Sequence, residues 1–133
     1  MEPSAEKFKA DVGLFEQALK SLEEALQQPY SVYIRDASIQ RFEYVFELAW
    51  KAVQAGSQTM GVSCSSPREA IRQAYKLNCI KNPDAWFEML KARNQTVHTY
   101  NQEIADVVYA LIRKMPALGQ DLLVVLEKAL QSL

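Results

Sequence analysis

One short segment, RNQTVHTY (Arg93–Tyr100), holds the sole histidine of the chain, His98, five residues after Arg93 and two before Tyr100. A histidine and an arginine suffice to attack an RNA phosphodiester without a metal. The imidazole moves the 2′-hydroxyl proton while the guanidinium stabilises the charge that builds on the phosphorus oxygens. In an unbroken helix the two side chains point about 140° apart. Cooperation therefore needs a kink, or a two-fold axis that puts two copies of the segment in one cleft. The plain alternative is a histidine tolerated at a helix junction, and from spacing alone it stands ahead, because one imidazole near neutral pKa is weak support for catalysis.

The elements around the segment decide how it is held. Asn94, Thr96, Val97, Thr99 and Asn101 make a poor helix interior, so a break is expected there, with Thr99 and Gln102 as the capping box of the next helix. Upstream, Phe8, Val12, Phe15, Leu19, Leu22 and Leu26 recur at spacings of four and three, one face of a long helix that Pro29 ends. A second helix is expected from about Asp36 to Ala55, with Gly56 and Gly61 bracketing its exit. Ile39, Phe42, Phe46, Ala49 and Val53 form its apolar stripe, and Tyr44, Val45, Leu48 and Ala52 extend it round the far side, so this helix is central or at a subunit interface. Arg41 projects into that second arc; it snorkels to water or reaches a carboxylate, a phosphate or a partner subunit.

Ser66–Pro67 with Glu69, and Asn82–Pro83 with Asp84, read as two helix starts. The first opens a short helix on Ala70, Ile71, Ala74, Tyr75 and Leu77, and the second a longer one on Trp86, Phe87, Leu90 and Val97. Ile104, Val107, Val108, Leu111, Ile112 and Met115 continue the helical pattern until Pro116 kinks or restarts it, and Leu118 to Leu130 complete a final amphipathic segment. No strand-like alternation, repeat or glycine-rich phosphate loop is present. The expected fold is all-α: an up-and-down four-helix bundle with one additional short helix, as a single domain over residues 1–133.

Composition narrows the function. With 133 residues, 49% hydrophobic, and a formal net charge of -1, the chain reads as a folded globular protein that lacks the basic balance of a dedicated DNA binder. The start, MEPSAEKFKA, has no apolar signal core and no run of about 18 apolar residues occurs, so a cytoplasmic protein without membrane contact is expected. Cys64 and Cys79 lie 15 apart with one histidine to share, so no metal site and no cofactor are expected. Glu43 and Glu47 share a helix face, but no second carboxylate-rich helix with Glu-x-x-His supports a di-iron reading. Nucleophile-elbow, zinc-protease and P-loop signatures are absent.

The Arg93-x4-His98-x-Tyr100 string resembles the R-x4-H-x-Y motif of the HEPN superfamily in its HepT-like branch. The blocks DASIQRFEYVFELAWK (Asp36–Lys51), SPREAIRQAYKLNCI (Ser66–Ile80) and WFEMLKARNQTVHTYNQEIA (Trp86–Ala105) resemble the nucleotidyltransferase substrate-binding protein family. The resemblance implies a homodimer with the motif near the dimer cleft and a minimal nucleotidyltransferase partner (MntA-like) encoded nearby. It further implies Arg93 and His98 as a catalytic pair, Tyr100 as the acceptor of AMP, and Asn94 as a residue that orients nucleotide or RNA; Arg41 is a further binding candidate from its place in the apolar arc of the second helix. Three functions follow as expectations. The first is the nucleotide- or substrate-binding partner of the transferase, the HepT-like component of a toxin–antitoxin pair regulated by AMPylation. The second is an active metal-independent ribonuclease toxin, and the third a non-catalytic structural adaptor.

Overall fold

The computed structural model describes residues 2–133, and all regular structure among them is helical. Six α-helices follow in order: α1 (Pro3–Leu26), α2 (Val32–Thr59), α3 (Pro67–Lys76), α4 (Pro83–Gln95), α5 (Gln102–Ile112) and α6 (Met115–Gln131), with a 3-10 turn at Thr96–His98 after α4.

The heptad-like seam of α1 is buried as its spacing requires, with Phe8, Val12, Phe15, Leu19 and Leu22 in the core and Leu26 half-buried at its end. α2 departs from expectation at both ends. Ser31 caps it, its Oγ accepting from Ile34 N at 3.0 Å, so the helix starts four residues before Asp36. It also runs through Gly56 to Thr59, because Gly56 is a packing contact: a Cβ there would sit 3.0 Å from Phe8 Cε1 on α1. The chain leaves the helix at Gly61, whose φ of +75° suits a residue without a side chain.

The two-sided apolar surface makes α2 central, packed against α1, α3, α4, α5 and α6. Val45 and Ala52 are fully buried on its far side, whereas Tyr44 stays exposed. Ser66 and Asn82 cap α3 and α4, accepting from Glu69 N and Ala85 N at 3.1 Å each. Two expected core positions of α3, Tyr75 and Leu77, are exposed, because the short helix buries only its Ala70–Ile71–Ala74 stripe. Pro116 restarts the chain as α6 after a break at Arg113–Lys114. Gly119 of α6 lets that helix approach α1, since a Cβ there would lie 2.8 Å from Leu19 Cδ1. Among the described residues no helix is long and apolar enough to cross a membrane.

Candidate functional site at the α4–α5 junction

The junction is a tightened turn rather than a clean break. α4 ends at Gln95, residues 96–98 continue as 3-10 helix, and α5 begins at Gln102. The threonines shape it: Thr96 Oγ1 donates to the Arg93 carbonyl and Thr99 Oγ1 to the Thr96 carbonyl, each at 2.7 Å. These local bonds offer the backbone an alternative to a continuing helix. The cap of α5 is Asn101, whose Oδ1 accepts from Glu103 N at 3.0 Å and Ile104 N at 3.2 Å. The expected Thr99–Gln102 capping box does not form, because Thr99 Oγ1 is engaged backward. Val97, expected on the buried side of α4, is 70% exposed, since the 3-10 turn rotates it outward; Met89 and Ala92 fill the core instead.

Arg93 and His98 occupy different surroundings. Arg93 is half-buried, its guanidinium carbon 5.8 Å from the centre of the Phe46 ring on α2. Its Nε is buried without a hydrogen-bond partner. Glu43, one turn before Phe46, has its carboxyl pushed up by partial burial, with the Arg93 charge pulling the other way. His98 is exposed, its ring 6.4 Å from that of Tyr100 at an interplanar angle of 73°. Tyr100 is 81% exposed and Asn94 is exposed as well. No hydrogen bond joins Arg93 to His98 among the described residues. The tighter 3-10 rotation of about 120° per residue leaves the two directions about 160° apart. The kink alone therefore does not converge them.

Arg41 lies elsewhere. Its Nη1 donates to the Ser21 carbonyl of α1 at 2.7 Å, and the side chain stays half-exposed, as an arginine that snorkels along an apolar stem does.

A third arginine, one that periodicity does not single out, meets the junction from the other side. Arg35, in the first turn of α2, is 2% exposed. Its Nε donates to Asp36 at 3.0 Å, its Nη1 to Asp106 Oδ1 at 3.2 Å and its Nη2 to Gln102 Oε1 at 2.5 Å. Tyr30 Oη donates to the same Asp106 oxygen at 2.7 Å. Burial works against the Arg35 charge, but the hydrogen bonds to Asp36 and Asp106 outweigh it and the net shift is upward. The bonds from Tyr30 and Arg35 hold the Asp106 carboxyl below the usual carboxylate range, and the same contact pushes the Tyr30 phenol up. The sequence signal for Arg35 is slight: a charged residue one position before the expected start of α2.

No group of three or more His, Cys, Asp or Glu among the described residues is arranged to hold a metal ion.

An all-helical chain with an R-x4-H-x-Y turn between two helices, beside a central helix, defines a narrow class of protein, and comparison with known proteins resolves it. The family described as "Nucleotidyltransferase substrate binding protein like" matches residues 10–128, and the chain belongs to that family. A Haemophilus influenzae protein named "Probable ribonuclease HepT" is 34% identical over 80 residues, covering 56% of this chain and 55% of that protein. The chain thus aligns with just over half the length of that relative. Two solved structures share the fold. A Thermus thermophilus protein has a TM-score of 0.78 at 35% identity, covering 84% of this chain and 98% of its own. HI0074 of Haemophilus influenzae, described as revealing the fold of a substrate binding domain of a nucleotidyltransferase, has a TM-score of 0.76 at 27% identity, covering 87% and 98%.

Proposed function

We propose that this protein is the helical substrate- or nucleotide-binding partner of a minimal nucleotidyltransferase, the HepT-like component of a toxin–antitoxin pair, and that Tyr100 is the residue the partner modifies. The observation that carries this reading is the exposure of Tyr100 in a capped turn beside His98. A phenol presented in this way can reach the active site of another protein. Its oxygen would attack the α-phosphorus of ATP, lose its proton to a base and release pyrophosphate, leaving AMP on Tyr100. The adduct would place an anionic, bulky group two residues from His98. Asn94 is the neighbouring candidate for orienting nucleotide, and Arg41 a second candidate contact on the α1 side of α2.

A ribonuclease reading is favoured by Arg93, whose guanidinium is engaged by no side-chain acceptor among the described residues. Its Nε is enclosed, so a phosphate oxygen would be met by the Nη groups. His98 would take the 2′-hydroxyl proton as that oxygen attacks phosphorus and the 5′-oxygen departs. Since one chain does not converge Arg93 and His98, this chemistry needs a homodimer. The groove between α4 and α5 adjoins the motif with a mixed lining, Ala92, Ile104, Val107 and Leu111 flanked by Lys91 and Glu103, with Val107 60% exposed. In this reading residues 1–133 form a single domain, and α5 with α6 acts as one bent member of a four-helix bundle.

Incubation with the transferase and ATP followed by intact mass tests the first reading: the expected gain is one AMP, abolished in Tyr100→Phe. An adduct that persists in Tyr100→Phe removes Tyr100 as acceptor. Expression of the protein alone beside His98→Ala tests the second, with growth arrest and RNA loss expected only without the substitution. Equal tolerance of both overturns the nuclease and leaves a binding module or an adaptor.

A further inference from the structure

The bonds that shape the motif turn are all local. Thr96, Thr99 and Asn101 each reach three residues or fewer along the chain, and Asn101 N donates to the His98 carbonyl at 3.0 Å. They define the turn's shape and leave open how it sits on the rest of the molecule. Among the described residues, the side-chain hydrogen bonds that tie the start of α5 to a distant element come from Tyr30 and Arg35.

The guanidinium is suited to this. Its fork holds Gln102 and Asp106, four residues and about one turn apart on α5, so it sets the rotation of that helix about its axis as well as its distance from α2. Gln102 is the first residue of α5, and while its Oε1 accepts from Arg35, its Nε2 faces the Tyr100 carbonyl at 3.5 Å. A continuous path therefore runs from the buried Arg35 through Gln102 to the backbone of Tyr100. A buried arginine is a weak device for stability alone, because desolvation offsets much of the attraction to its partners.

We propose that Arg35, acting through Gln102, is the positioning residue of the motif, fixing the turn so that Tyr100 and His98 are presented to nucleotide or RNA in one arrangement. The functional part of this proposal rests on the reading of Arg93–Tyr100 as the reactive segment; the mechanical part does not.

Gln102 is exposed, so it can be changed without opening the core. The test uses the full chain with Gln102→Leu, which cannot accept from Arg35, and Gln102→Glu, whose carboxylate can. Amide hydrogen exchange over residues 96–104 and over α1 is read by mass spectrometry, beside transfer of AMP to Tyr100 by the partner enzyme. Gln102→Leu is expected to speed exchange in the turn by about tenfold while α1 is unchanged. It should lower kcat for Tyr100 modification by about tenfold, with KM within about twofold. Gln102→Glu keeps an acceptor for Arg35 but has no N–H for the Tyr100 carbonyl, so it should return exchange at residues 102–104 to within about threefold of the parent while Tyr100 modification stays lowered. Unchanged exchange in Gln102→Leu, or a uniform rise across the whole chain, overturns the proposal. If the parent protein is neither modified nor cleaves RNA, the functional reading fails, and the exchange pattern still decides whether Arg35 positions the turn.

Discussion

Arg35 and Arg93 are both drawn to the same junction, and they end in opposite states. Arg35 is buried with all three of its donor nitrogens bonded, to Asp36, Asp106 and Gln102. Arg93 lies over the face of Phe46 with its Nε unpartnered and Glu43 close enough to feel its charge. The Arg35 guanidinium spends three of its five N–H groups on its own chain and is 2% exposed, so a ligand has no access to it. Arg93 lies over an aromatic face with its Nε enclosed, and no side-chain acceptor among the described residues engages its guanidinium. The difference matches the proposed roles, Arg35 holding the site and Arg93 acting in it.

Substitution of each arginine breaks the comparison in a different measurement. Arg93→Ala is expected to lower RNA cleavage, or binding of nucleotide where cleavage is absent, by about a hundredfold. It should cost less than about 1 kcal/mol of stability in urea unfolding. A large loss of stability with activity retained would reverse the assignment of the two arginines. Arg35→Ala should lower stability by about 2 kcal/mol, through lost packing of its stem and lost hydrogen bonds. An unchanged denaturation midpoint removes the structural role given to it.

Phe46→Leu sharpens the contrast, since it keeps a buried apolar side chain and removes the ring from beneath Arg93. The expected cost is about 1 kcal/mol of stability and a roughly three- to fivefold weakening of phosphate-ligand binding by titration. No change in affinity would mean that the ring does not hold Arg93 ready. The smallest effect concerns pH. Asp106 has its folded pKa below the unfolded value of about 3.9. Its contribution is therefore present above that value and lost as pH falls through the folded pKa. Tyr30 has its folded pKa above about 10, so its contribution persists below that value and is lost as pH rises through the folded pKa. Asp106→Asn should flatten both limbs of a stability–pH curve measured by urea unfolding. Identical curves for parent and variant would mean that this contact does not couple folding to pH.

The core helices were largely legible because burial imposes a period. The α1 seam and the Ile39–Val53 stripe of α2 are buried nearly as the spacing required. Helix starts marked by a capping side chain and proline were legible too, since those signals act within four residues. The errors arose where a distant contact overrode a local tendency. Gly56 reads as a stop and is instead the place where Phe8 packs against α2. Thr99 has the spacing of a cap, yet bonds to the carbonyl behind it. Val97 fits the apolar face of α4 only if α4 continues, and the 3-10 turn ends that face.

For the candidate site, the sequence by itself determined which groups are available: one imidazole, an arginine five residues before it and a tyrosine two after, in a stretch unsuited to regular helix. Tertiary structure decided how they are held, because hydrogen bonds between residues 67 and 71 positions apart leave no periodic trace. It tied Arg35 to α5, turned Arg41 to the backbone of α1, left Arg93 Nε buried without a partner and carried Tyr100 outward into solvent.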